Sequence, residues 1–107
     1  MIQFKDGVDW SGADEAVVYA SRIAEQIYLR IANVPLVITS IRDGEHSPTG
    51  RHPLGKAVDW RVHTIPAGIR PMVLRELRAK LPAPFVVLHE HVGTPNEHFH
   101  CHVDYKL

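Results

Sequence analysis

The chain has 107 residues, 45% hydrophobic and 22% charged, which fits one domain over 1–107 with a modest single core. Twelve Lys and Arg balance twelve Asp and Glu, for a formal net charge of +0. That balance excludes the basic footprint of a dedicated nucleic-acid binder, and no polybasic tract points to a membrane surface.

The opening MIQFKDGVDW lacks the apolar centre of a signal peptide, and no stretch reaches the roughly 18 apolar residues of a membrane span. The expectation is a chain that stays in the cytoplasm of the producing cell unless another route delivers it. Ser11, followed by Asp14, predicts a helix N-cap with an acidic partner. Ala13, Ala16, Val17, Ala20, Ile23, Ala24, Ile27 and Ile31 recur at helical spacing, so a helix with one apolar stripe is expected over about 12–32. Asn33 and Pro35 end it. LVITSI, 36–41, is rich in β-branched residues and predicts a strand. The following RDGEHSPTGRHPLG has the glycine and proline punctuation of a loop.

KAVDWRV alternates, with Ala57, Asp59 and Arg61 on one face and Val58, Trp60 and Val62 on the other, as a strand does. A second helix is expected over 71–81, with Met72, Leu74, Leu77 and Leu81 as its apolar candidates. PFVVLHEH, 84–91, predicts a third strand, VGTPNE a hairpin-type loop, and HFHCHVDY, 98–105, a fourth strand. These elements make an α+β domain: a mostly antiparallel sheet flanked by two helices. Trp10 and Trp60 are expected in its core, and His46 and His63 at the surface.

The chain has eight histidines, and His89, His91, His98, His100 and His102 crowd its end. In HFHCHVDY the alternation puts His98, His100, His102 and Asp104 on one face and Phe99, Cys101, Val103 and Tyr105 on the other. Cys101, the single cysteine, reads as a small buried hydrophobe rather than a nucleophile. A row of histidines suits an amphipathic strand with a wet face, and it equally suits a metal, since neutral imidazole is the commonest metal ligand. Of His89, His91 and His98, only His98 is expected near a cleft.

His52 and Asp59 supply candidate partners from the loop and the second strand, with Gly55 permitting a tight turn between them and Ala57 leaving room beside the carboxylate. A loop His, a strand Asp and a His from a neighbouring strand make three ligands. Three protein ligands with an open position is the pattern of catalytic zinc. Nitrogen and oxygen donors without thiolate fit zinc better than iron or manganese.

The segment GRHPLGKAVDW together with HCHVD resembles the hedgehog/DD-peptidase family of zinc peptidases, whose pattern is SxHxxGxAxD followed by HxH on a strand. His52, Gly55, Ala57 and Asp59 stand at matching spacing, and TSIR upstream is similar to the family's strand leading to an arginine. The resemblance covers roughly 36–105. It implies Zn2+ held by His52, Asp59 and His102, with His100 beside the metal and Arg42 on the substrate's carboxylate or a peptide carbonyl. It implies Glu97, three residues before His100, as the general base, with Glu90 as the rival. The family's Ser is Gly50 here, with Ser47 and Thr49 out of register, which bears on substrate handling rather than metal binding.

The activity implied is zinc-dependent hydrolysis of peptidoglycan stem peptides, of the D-Ala-D-Ala carboxypeptidase or L-Ala-D-Glu endopeptidase type, as in phage endolysins. The alternative is a zinc domain of the same fold that binds without hydrolysing, as a module of a phage particle for example. A third reading is an interaction domain with no metal.

Overall fold

Asp14 starts the first helix: its carboxylate accepts from the Ala16 amide at 2.8 Å, in a computed structural model that describes residues 1–42 and 56–105. Ser11 is not the cap. Its own amide donates to Asp9 at 2.7 Å in the turn before the helix. Helix α1 runs Glu15–Ile27 and passes into a π-helical turn, Tyr28–Ala32. Asn33 closes that turn in the left-handed region, φ 55, and donates its amide to the Leu29 carbonyl.

Strand β1 is Ile2–Phe4, β2 Leu36–Arg42, β3 Ala57–Arg61, β4 Phe85–Glu90 and β5 His98–Val103, and helix α2, Arg70–Lys80, precedes β4. The sheet has five strands in the order β1-β2-β3-β5-β4. β1 lies parallel to β2, and every other pair is antiparallel. The mostly antiparallel α+β expectation therefore holds. The sequence reading missed β1, a three-residue edge strand too short to show alternation.

Both helices pack on one face of the sheet. Val17, Ala20, Ala24, Ile27 and Tyr28 from the first helical segment meet Val73, Leu77 and Leu81 from the second, over Val58, Trp60, Phe99, Cys101 and Val87. Leu77 and Leu81 are buried and Leu74 partly so, as expected, but Met72 is 45% exposed and Val73 is buried in its stead. Trp60 is buried, and its indole N–H donates to the buried Ser21 hydroxyl at 3.0 Å, which satisfies both groups. Trp10 is only partly buried, edge-on to Phe4. A radius of gyration of 13.0 Å matches one compact domain, for which about 13 Å is expected at 100 residues. Among the described residues no helix is long and apolar enough to cross a membrane.

Alternation then sends Ala57, Asp59, Arg61, His98, His100 and His102 to the face away from the helices. The register puts Asp59 opposite His100, Arg61 opposite His98 and Ala57 opposite His102. On the far side of β5, Glu90 stands opposite His98 and Leu88 opposite His100. The β2–β3 ladder slips between Ile38 and Ser40. Such a bulge lets two consecutive residues, Thr39 and Ser40, border the same cleft.

Candidate metal centre

Cross-strand neighbours on one face have Cβ atoms about 5 Å apart, close enough for polar side chains to meet. Here they meet in a chain. Glu90 Oε1 lies 2.9 Å from His98 Nε2, and His98 Nε2 lies 3.6 Å from Asp59 Oδ1. Asp59 Oδ1 lies 2.8 Å from His100 Nδ1, and His100 Nε2 lies 3.1 Å from His102 Nδ1. Asp59 is buried at 5% exposure, and His100 is nearly so at 9%. One donor atom each from Asp59, Glu90 and His98 lies within 4.8 Å of the other two, so the group could hold a metal ion.

The hydrogen-bond chemistry of His98 fits that use. Its Nδ1 lies 2.6 Å from the Asn96 carbonyl, which only accepts, so Nδ1 carries a proton and donates. In the neutral ring, Nε2 is then a bare lone pair. It faces Glu90 and Asp59, which are acceptors when ionised. Two acceptors and a lone pair converging on one point need a shared cation: the second proton of an imidazolium, or a metal. The same logic applies to His100. Its Nδ1–H donates to Asp59, the carboxylate that orients the ring, and its Nε2 lone pair faces His102 Nδ1 at 3.1 Å.

The sequence-predicted residues separate into three groups. Asp59, His100 and His102 come together, with His100 rather than His102 directly on Asp59. His98 joins them, as expected of the histidine nearest the cleft. His52, with Gly50, Ser47, Thr49, Gly55 and His46, lies outside the described residues. So does the side chain of Arg42, whose backbone ends β2 opposite Ala57.

Glu97 borders the same cleft, but both its oxygens are engaged elsewhere. Oε1 accepts from Arg70 at 3.0 Å and from the Gly93 amide at 3.1 Å, and Oε2 lies 2.7 Å from His89 Nε2. The Gly93 amide first, then His89 and Arg70, hold this carboxyl below its usual range against the opposing effect of burial. Glu97 is thus a structural anchor of the β4–β5 loop, tying it to α2. Glu90, the rival, is the carboxylate that stands in the histidine chain.

Cys101 is on the helix side, 1% exposed, and burial pushes its thiol up to about 12, so it is no thiolate at neutral pH. His89 is also on that side, edge-on to Phe99 at 4.9 Å between ring centroids. Asp104 follows β5 and donates its amide to the Pro84 carbonyl at 2.7 Å.

The cleft beside this group has a volume of about 440 Å³ and is lined by Lys5, Thr39, Ser40, Asp59, Arg61 and His98, with His63, His91, Pro95 and Asn96 on its loops. His91 therefore reaches the cleft, contrary to expectation, because its left-handed backbone, φ 54, turns the chain after β4. His63 is exposed but held: its Nε2–H donates to the Pro95 carbonyl at 3.0 Å and fastens the β4–β5 loop across the cleft's edge. Lys5, Thr39 and Ser40 carried no sequence signal. A bulge and a short parallel edge strand bring them in, and neither leaves a periodic pattern. Compared with known proteins, the chain matches no family model, no curated protein and no solved structure.

Proposed function

We propose that the chain is a zinc peptidase of the hedgehog/DD-peptidase type, acting on peptidoglycan stem peptides. The observation that carries this reading is the convergence of Glu90, His98 and His100 on the buried Asp59. The substrate class rests on the motif resemblance. Asp59 would hold the ion with histidines of β5, and the resemblance adds His52 and His102 to the ligands. Bound zinc supplies Lewis acidity towards a carbonyl and lowers the pKa of a water to about 7.

The chain's own residues do the rest. Asp59 orients His100 by accepting from its Nδ1. Glu90 takes the proton of the attacking water, a role moved here from Glu97 because Arg70, His89 and Gly93 occupy that carboxylate. His100 would stand beside the metal and position the reacting group, and Arg42 keeps its family role as substrate anchor.

The engagement of Glu97 also favours a second reading, a zinc domain that binds peptide without cutting it. One experiment separates the two. The untagged protein and Glu90→Gln are assayed for zinc content and for release of fragments from purified peptidoglycan and synthetic stem peptides. The peptidase reading expects about one zinc per chain in the wild type and hydrolysis lost about 100-fold or more in the variant, the scale of a general base. Zinc lost together with hydrolysis would make Glu90 a ligand, as its place beside Asp59 and His98 allows, rather than the base. Zinc without hydrolysis in the wild type selects the binding domain. No zinc at neutral pH, even when it is offered, ends both.

A further inference from the structure

The cleft that holds Asp59 and His98 also carries two cations that nothing among the described residues neutralises. Among the described residues, neither Lys5 nor Arg61 makes an ion pair or hydrogen bond through its side chain. By contrast, Arg30 pairs with Glu76 and Arg70 with Glu97, each at 3.0 Å. Arg61 is half-buried and grows from a rigid element. It ends β3, faces His98 across the ladder, and its carbonyl accepts from the buried Tyr28 hydroxyl at 2.7 Å. Lys5 follows β1, with its amide on the Ile38 carbonyl at 2.9 Å. Thr39 and Ser40 border the same cleft, with the Thr39 hydroxyl donating to the Asp59 carbonyl at 3.4 Å.

We infer that this end of the cleft is a carboxylate subsite, in which Arg61 and Lys5 receive a free carboxylate of a peptide ligand whose neighbouring amide lies at the Asp59 group. A guanidinium matches a carboxylate two bonds at a time, and an ammonium adds a point charge beside it. Asp59 and Arg61 are alternate residues of one strand, about 6.6 Å apart along it. An extended peptide advances about 3.5 Å per residue. The carboxylate therefore falls within one or two residues of the amide at the metal group. The cleft selects chain ends, or residues with a free α-carboxylate, over uninterrupted chain. This inference rests on the proposed reading in one respect only, that the Asp59 group is where the ligand's amide lies.

The test is a titration of the full chain, with one equivalent of zinc added, using N-acetyl-D-alanine and its carboxamide, followed by amide chemical shifts. The acid is expected to bind at least about tenfold more tightly than the amide, the scale of one charge-assisted hydrogen bond. Arg61→Gln should bring that ratio near one, Arg61→Lys should restore part of it, and Lys5→Gln, at an exposed position that does not threaten folding, should lower it. Equal affinities in the wild type, or binding of neither compound, would overturn the subsite. So would an acid preference untouched in all three variants, since the added zinc itself would then be holding the carboxylate. Zinc content of the same samples decides the peptidase reading separately. An acid preference in a chain that takes no zinc keeps the subsite and ends that reading, and zinc without acid preference does the reverse.

Discussion

At the scale of the residue, Asp59 organises the candidate centre. Its buried carboxylate touches His98 and His100, and such a group is tolerated only where it is paired or shares a cation. Asp59→Asn keeps the shape and removes the charge. We expect it to fold and to weaken zinc binding at least about tenfold, as loss of even an outer partner of a metal-bound histidine does. Competition with a chromophoric chelator measures this.

Glu97 has a different consequence, one of pH. Unfolded, its carboxyl titrates near the ordinary Glu value of about 4.3; folded, the Gly93 amide, His89 and Arg70 hold it lower. Its contribution is therefore present above about pH 4.3 and is lost as pH falls through the folded value. Thermal melts from pH 7 to 3 should show a loss of stability below about pH 4.3 that is shallower in Glu97→Gln. Equal slopes in the two proteins would mean that the anchor carries no weight.

Elements set where those residues stand. The first helix begins at Asp14, three residues later than the Ser11 cap suggests, because Asp9 captures the Ser11 amide in a preceding turn. Asp14→Ala should cost about 1 kcal/mol in urea unfolding, the usual value of an N-cap, whereas Ser11→Ala should stay within about 0.5 kcal/mol. The β2 bulge acts similarly on the cleft. By adding Thr39 to one strand, it turns a polar pair towards the site without disturbing the apolar side, where Ile38 still faces Trp60.

Across the whole molecule, the helices and the candidate centre occupy opposite faces of one sheet, so the core can be complete before any ion binds. The chain should therefore fold without metal and gain stability when it is added. Zinc at about 100 times its dissociation constant should add about 2.7 kcal/mol, and a chelator should remove that increment and no more. Calorimetric melts with and without zinc and chelator check both halves. Collapse of the fold on chelation would mean that the ion is structural, as in small zinc modules.

The sequence by itself determined the elements with strong periodicity. Alternation in KAVDWRV and HFHCHVDY told which side chains share a face, because a pleated strand leaves no other choice. The apolar stripe of α1 and the burial of Cys101 followed from the same rule. What periodicity does not contain is the register between strands. Only the tertiary structure put His100 opposite Asp59 and Glu90 opposite His98, and so singled out Glu90 rather than Glu97 within the histidine chain. Spacing to His100 favours Glu97, but spacing is blind to Arg70 and His89, which reach Glu97 from elements 27 and 8 residues away and claim both its oxygens. That Lys5 and Arg61 lack a side-chain partner among the described residues was hidden for the same reason. Whether a charge has a partner is a property of three dimensions, and one-dimensional order does not record it.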